Sequence, residues 1–108
     1  MNYKIVKLDR RHSWHHDFAY MIEFPKRSFS LGSSGVLAFD RSRRWFNETF
    51  GWSQDVDTRE RMRVADKNIV GTDEYNSKWS WSIKYDEYRL YVSTEAELNW
   101  FVLKHPQA

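Results

Sequence analysis

The chain predicts an α+β fold, an antiparallel sheet of about four strands with two helices packed on one face, and three observations carry that expectation. Residues 14 to 24, "WHHDFAYMIEF", and 78 to 92, "KWSWSIKYDEYRLYV", alternate apolar and polar side chains at period two, as half-buried strands do. Residues 39 to 51, "FDRSRRWFNETFG", and 93 to 105, "STEAELNWFVLKH", instead bring their apolar side chains round at helical spacing between capping signals. At 108 residues there is room for one core, so residues 1–108 are expected to be a single domain.

The elements follow in order. "YKIVKL", residues 3 to 8, is a short β-rich run. In the next strand Trp14, His16, Phe18, Tyr20, Ile22 and Phe24 share one face, and Pro25, which cannot donate to a ladder, ends it. "KRSFSLGSSG" has the serine and glycine content of a surface loop. The first helix is expected to start at Asp40 as N-cap and to stop at Gly51, whose missing Cβ suits a left-handed terminus. Residues 53 to 72 fit either a helix or an edge strand and stay open at this point. In the late hairpin, a two-residue loop at Asp86 and Glu87 would pair Tyr85 with Tyr88, Ile83 with Leu90 and Trp81 with Val92, making that face core. The last helix is capped by Ser93 or Thr94, carries Glu95 and Glu97 at its positive end and Lys104 and His105 at its negative end, and turns Leu98, Phe101 and Val102 to the sheet.

Composition narrows the function classes. Aromatic residues are 18% of the chain, enough large buried area to hold a small fold without staples, and the absence of cysteine removes disulfides and thiolate metal sites. No apolar run approaches the roughly 18 residues that span a bilayer, and "MNYKIVKLDRR" lacks a signal-peptide core, so the expectation is a cytoplasmic protein without a membrane partner. Seventeen basic against fifteen acidic side chains leave a formal charge of +2, a weak field for any partner.

The densest candidate chemistry is "LDRRHSWHHDF", residues 8 to 18. His12, His15 and His16 with Asp17 offer metal-ligand types, but on an extended backbone His15 points away from the other two, and three imidazoles split across two faces do not converge on one ion. No metal and no cofactor is expected. No G-x-S-x-G elbow, P-loop or H-E-x-x-H is present, so no enzyme activity is expected either. What remains is binding. Arg10, Arg11 and Trp14 at the hairpin tip and Arg41, Arg43 and Arg44 on the first helix are the candidate partner-binding residues, because Trp, Tyr and Arg dominate interface energy. The same arginines make nucleic acid the alternative partner, through phosphate contacts with Trp14 or Trp45 stacking on bases, although no RNP-type or GXXG motif accompanies the sheet. Trp52 also falls beside a loop.

The second half, with "RRWFNETFG", a tryptophan soon after, a late hairpin and the closing "STEAELNWFVLKH", resembles small accessory proteins of tailed phages over about residues 40–105. Those proteins look like compact sheet-and-helix units without agreed catalytic residues, so no site residue carries over. The resemblance implies a setting, the cytoplasm of an infected bacterial host, and no chemistry; together with the exposed aromatic and arginine side chains, the expected role is binding a host or phage protein, as an inhibitor of a host or defence protein. A minor virion component is a further alternative.

Overall fold

The computed structural model describes residues 3–9, 18–25, 34–69, 72, 75–84 and 87–106. In chain order they form strands β1 (Lys4–Lys7) and β2 (Tyr20–Phe24), helices α1 (Ser34–Phe50) and α2 (Val56–Ala65), strands β3 (Trp79–Ser82) and β4 (Tyr88–Val92), and helix α3 (Glu95–Lys104). The strands make one antiparallel sheet in the order β1-β2-β4-β3, which is the expected α+β class.

Each face of the sheet follows from the pleat. Tyr20, Ile22 and Phe24 stand opposite Val92, Leu90 and Tyr88, while Trp79 and Trp81 stand opposite Val92 and Leu90, so all of them point one way. Helices α1 and α3, the two that the sequence predicts, both cover this face. They contribute Phe39, Phe46, Leu98 and Phe101 to a buried cluster with Tyr3, Ile22, Phe24, Trp79, Leu90 and Val92. At its centre Phe46 stacks on Trp79 at 5.2 Å and on Phe101 at 5.4 Å between ring centroids. Offset stacks of this kind add about 0.5–1.5 kcal/mol per pair to the area that they bury.

The opposite face is covered too, by the segment that the sequence left open. Residues 56–65 form α2, a helix and not an edge strand: Asp55 caps it by accepting from the Thr58 backbone N–H, and Asp57 sits in its first turn where the macrodipole favours a carboxylate. Val56 then packs with Phe18, Met21 and Tyr91 in a second, smaller cluster. Tyr91 points away from the main core, as alternation requires, and is nevertheless fully buried.

Four local expectations need correction. Phe18 does not share the face of Tyr20, Ile22 and Phe24. The described strand begins at Tyr20, after a bend at Ala19, and Phe18 joins the second cluster. Helix α1 begins at Ser34, not at Asp40, which lies inside it; burial of Phe39 against Phe24 and Tyr88 rewards the extra turns that serine and glycine propensity would not. The hairpin register is shifted by two residues: Trp81 faces Leu90, not Val92, and β3 ends at Ser82 while β4 begins at Tyr88; the expected pair partner Tyr85 and the loop residue Asp86 lie outside the described residues. A shift of two preserves the face, so the apolar side is as expected, but Ile83 leaves the strand and is 51% exposed. Asp-Glu lacks the residues that favour a tight primed turn, and the Glu87 N–H instead closes on the Lys84 carbonyl. Finally, Trp81 is half-buried at the sheet edge, and Trp79 takes the fully buried place.

The helix ends are as the sequence implies. Gly51 adopts φ +91° after α1, and Pro25 and Pro106 follow the last residues of β2 and α3. Thr94 and Glu97 form a reciprocal capping box on α3.

Candidate binding surface

The expected binding residues divide into two groups. Arg10, Arg11 and Trp14, like His12, His15, His16 and Asp17, lie outside the described residues. Arg41, Arg43 and Arg44 are on α1, and the helix separates them. Arg41 and Arg44 are exposed, whereas Arg43 turns to the sheet edge, where its guanidinium lies 4.6 Å from the Trp81 ring centroid and 5.9 Å from that of Phe39. Asp40 is 4.0 Å from it. Arg43 is therefore engaged in holding Trp81 and is not aligned with its two neighbours along one phosphate track.

Arg41 faces the far end of α3, where His105 stacks on Phe101 at 4.8 Å and meets the edge of Trp45 at 5.2 Å. Burial pushes the His105 imidazole below its ordinary pKa; the Phe101 backbone carbonyl opposes that and the Arg41 charge adds to it. The unfolded chain thus takes up a proton here before the folded one does. Stability should be full above the unfolded value of about 6.5 and fall as pH drops through it, levelling off below the folded pKa. Melting temperatures measured between pH 7.5 and pH 5 should fall less steeply for His105→Gln than for the parent chain. The difference should be modest, because the ring is partly solvated.

Two depressions border α2 and the end of α1. One, of about 210 Å³, is lined by Val56, Asp57, Ser82, Lys84, Glu87, Arg89 and Tyr91. Its charges are compensated internally: Arg89 Nε bonds Glu23 at 3.1 Å and its terminal nitrogen bonds Glu87 at 2.9 Å, while Lys84 lies 3.6 Å from Asp57. Burial pushes the Tyr91 phenol up to about 12, against the pull of Arg89, so at neutral pH it stays protonated. Such a set braces strands β2 and β4 against the start of α2. Among the described residues no group of three or more His, Cys, Asp or Glu is placed to hold a metal ion.

The other depression is larger and more open, about 450 Å³, and is lined by Phe50, Gly51, Trp52, Thr72, Tyr75, Asn76, Ser77 and Lys78. The backbone beside it is pinned at every step. Asn76 Nδ2 donates to the carbonyls of Phe50, Gly51 and Trp52 at 3.0, 3.2 and 3.2 Å. Trp79 Nε1 donates to Gly51 at 2.7 Å, Trp81 Nε1 to the Ser53 carbonyl at 3.0 Å, and Ser80 Oγ to that of Gln54 at 2.6 Å. Five consecutive carbonyls thus accept from side chains, the first of them, that of Phe50, belonging to the open end of α1. On this fixed loop the Trp52 side chain is 68% exposed, and among the described residues its indole makes no ring contact or hydrogen bond.

Sequence reasoning placed Trp52 beside a loop but gave no sign of its rigidity. The anchors are one asparagine, one serine and two tryptophans lying 24 to 28 residues away, and no local pattern connects them. The fold and this surface define a small sheet-and-helix protein with an indole on a rigid platform. Searches of protein-family models, curated proteins and solved structures find no match to the chain.

Among the described residues no helix is long and apolar enough to cross a membrane.

Proposed function

We propose that the protein is a binding module that engages a macromolecular partner, with Trp52 as the anchor. What carries this reading is the contrast at that position. Five successive carbonyls are immobilised, yet the side chain between them is left in solvent. A flat, preorganised indole loses little entropy on contact, and tryptophan at the centre of an interface is the residue type that most often dominates binding energy. The likeness of residues 40–105 to phage accessory proteins supports the setting, an infected bacterial host; the partner we propose is a host or defence protein that binding inhibits. Arg41 and Arg44, exposed on α1, are available to the rim of such an interface.

The test is capture of partners from nuclease-treated bacterial lysate on the immobilised chain and on Trp52→Ala. The variant should keep its melting temperature, because exposed substitutions shift stability by less than about 0.5 kcal/mol, and should lose affinity by about 30-fold or more, the scale of an interface hot spot. Capture that vanishes with nuclease would assign the surface to nucleic acid. Equal capture by both chains would remove Trp52 from the interface.

A further inference from the structure

We infer that the depression beside Trp52 takes an arginine side chain of a protein partner, its guanidinium stacked on the indole and directed at the C-terminal end of α1; this rests on Trp52 being the anchor. The first ground is the ring itself. Its face carries negative quadrupolar charge, and the flat, weakly hydrated guanidinium is the cation that most often occupies such a face. The chain uses the same pairing internally, with Arg43 over Trp81 at 4.6 Å.

The second ground is the electrostatics of the helix end. The aligned peptides of α1 leave roughly half a negative charge at its C-terminus. The last turn contains no basic residue to offset it and does contain the exposed Glu48, which has no ion pair among the described residues. The carbonyls of Phe50, Gly51 and Trp52 are bonded by Asn76, an amide that is neutral, so the hydrogen bonds are satisfied while the field is not cancelled. The Gly51 oxygen accepts from Trp79 as well, but those of Phe50 and Trp52 each keep a second lone pair that a guanidinium N–H can use. The opposing feature is Lys78, exposed on the lining of the same depression. Its flexible ammonium repels a second cation, and an incoming guanidinium has to displace it toward solvent. The sign of the Lys78 effect therefore reports the charge of the ligand.

The experiment uses ¹⁵N-labelled full-length chain and three capped tripeptides, Gly-Arg-Gly, Gly-Lys-Gly and Gly-Glu-Gly, with adenosine monophosphate as an anionic ring. The Trp52 indole resonance is assigned by its absence in Trp52→Phe. Gly-Arg-Gly should shift it in a saturable manner in the millimolar range expected of one side chain, about 1–10 mM, more strongly than Gly-Lys-Gly and with no response to Gly-Glu-Gly. Lys78→Ala should tighten the arginine peptide by about twofold to fivefold at low salt, and Glu48→Gln should weaken it by a similar factor, both effects fading at high ionic strength. No saturable shift with Gly-Arg-Gly, a preference for adenosine monophosphate, or weaker binding by Lys78→Ala would each overturn the assignment. If the peptides fail while Trp52→Ala still abolishes partner capture, the anchor stands and the arginine does not.

Discussion

Replacing Trp79 with alanine should cost about 3–5 kcal/mol, most of the stability expected of a fold this small. Trp79 has no exposed surface and lies in the inner part of the main cluster, stacked on Phe46, with Val92 directly across the ladder. Removal leaves a cavity that its neighbours cannot fill, because Phe46 is itself held by Phe101 and Phe50 and cannot collapse into the gap. The substitution also removes the donor to the Gly51 carbonyl at 2.7 Å, and thereby one of the bonds that fix the end of α1. Urea denaturation followed by circular dichroism gives the measurement. Trp79→Phe, which keeps a stacked ring but loses the N–H, should fall well short of the alanine variant. Trp81→Ala should also cost less, since that indole is half-buried and covered on one side by the Arg43 guanidinium. Equal midpoints for Trp79→Ala and the parent chain would show that the β3–β4 face is not the core.

The contrast between Trp79 and Trp81 shows what could be read in the sequence and what could not. Alternation identified the apolar face of the hairpin, because a side-chain period of two is a property of the strand alone. It could not choose between registers that differ by two residues, because both keep every apolar side chain on the same side. The turn would have decided, and Asp-Glu carries no strong turn signal. Helix α3 was legible to its cap, since Thr94 and Glu97 are neighbours in sequence as well as in space. Helix α1 was legible at Gly51 and not at Ser34, since its first turns form around Phe39, a contact with β2 and β4 that no local window contains. Helix α2 was ambiguous for a related reason. Its inward face consists of Val56 and Arg59, and an arginine does not register as a core residue in any hydrophobic pattern. The candidate surface was the least legible part. An exposed tryptophan is visible as a letter, but the platform beneath it depends on Asn76, Trp79, Ser80 and Trp81 returning from across the fold.

Arg59→Ala should destabilise the chain by about 2–4 kcal/mol, although the residue is charged and lies on a helix of otherwise modest burial. The side chain is 2% exposed, and its guanidinium carbon lies 4.6 Å from the Phe18 ring centroid and 4.3 Å from that of Tyr75. Both rings are themselves buried, so the arginine is the filling of the second core and joins β2, α2 and the approach to β3. A buried cation is costly to desolvate, and two ring faces contribute to offsetting that cost for a group that is flat and spreads its charge. Arg59→Lys should therefore be nearly as destabilising as alanine, since an ammonium keeps the charge, is more strongly hydrated and presents no face to either ring. Arg59→Met should be milder than both, because it restores apolar volume between the rings without a charge to desolvate. Chemical denaturation of the three variants ranks them. A lysine variant as stable as the parent would mean that charge alone matters at this position and that the stacking does not. The consequence extends beyond stability, since Tyr75 lines the depression beside Trp52. Loss of the Arg59 guanidinium frees one wall of that depression, so Arg59→Met, if it folds as expected, should also weaken partner capture without altering any residue exposed there.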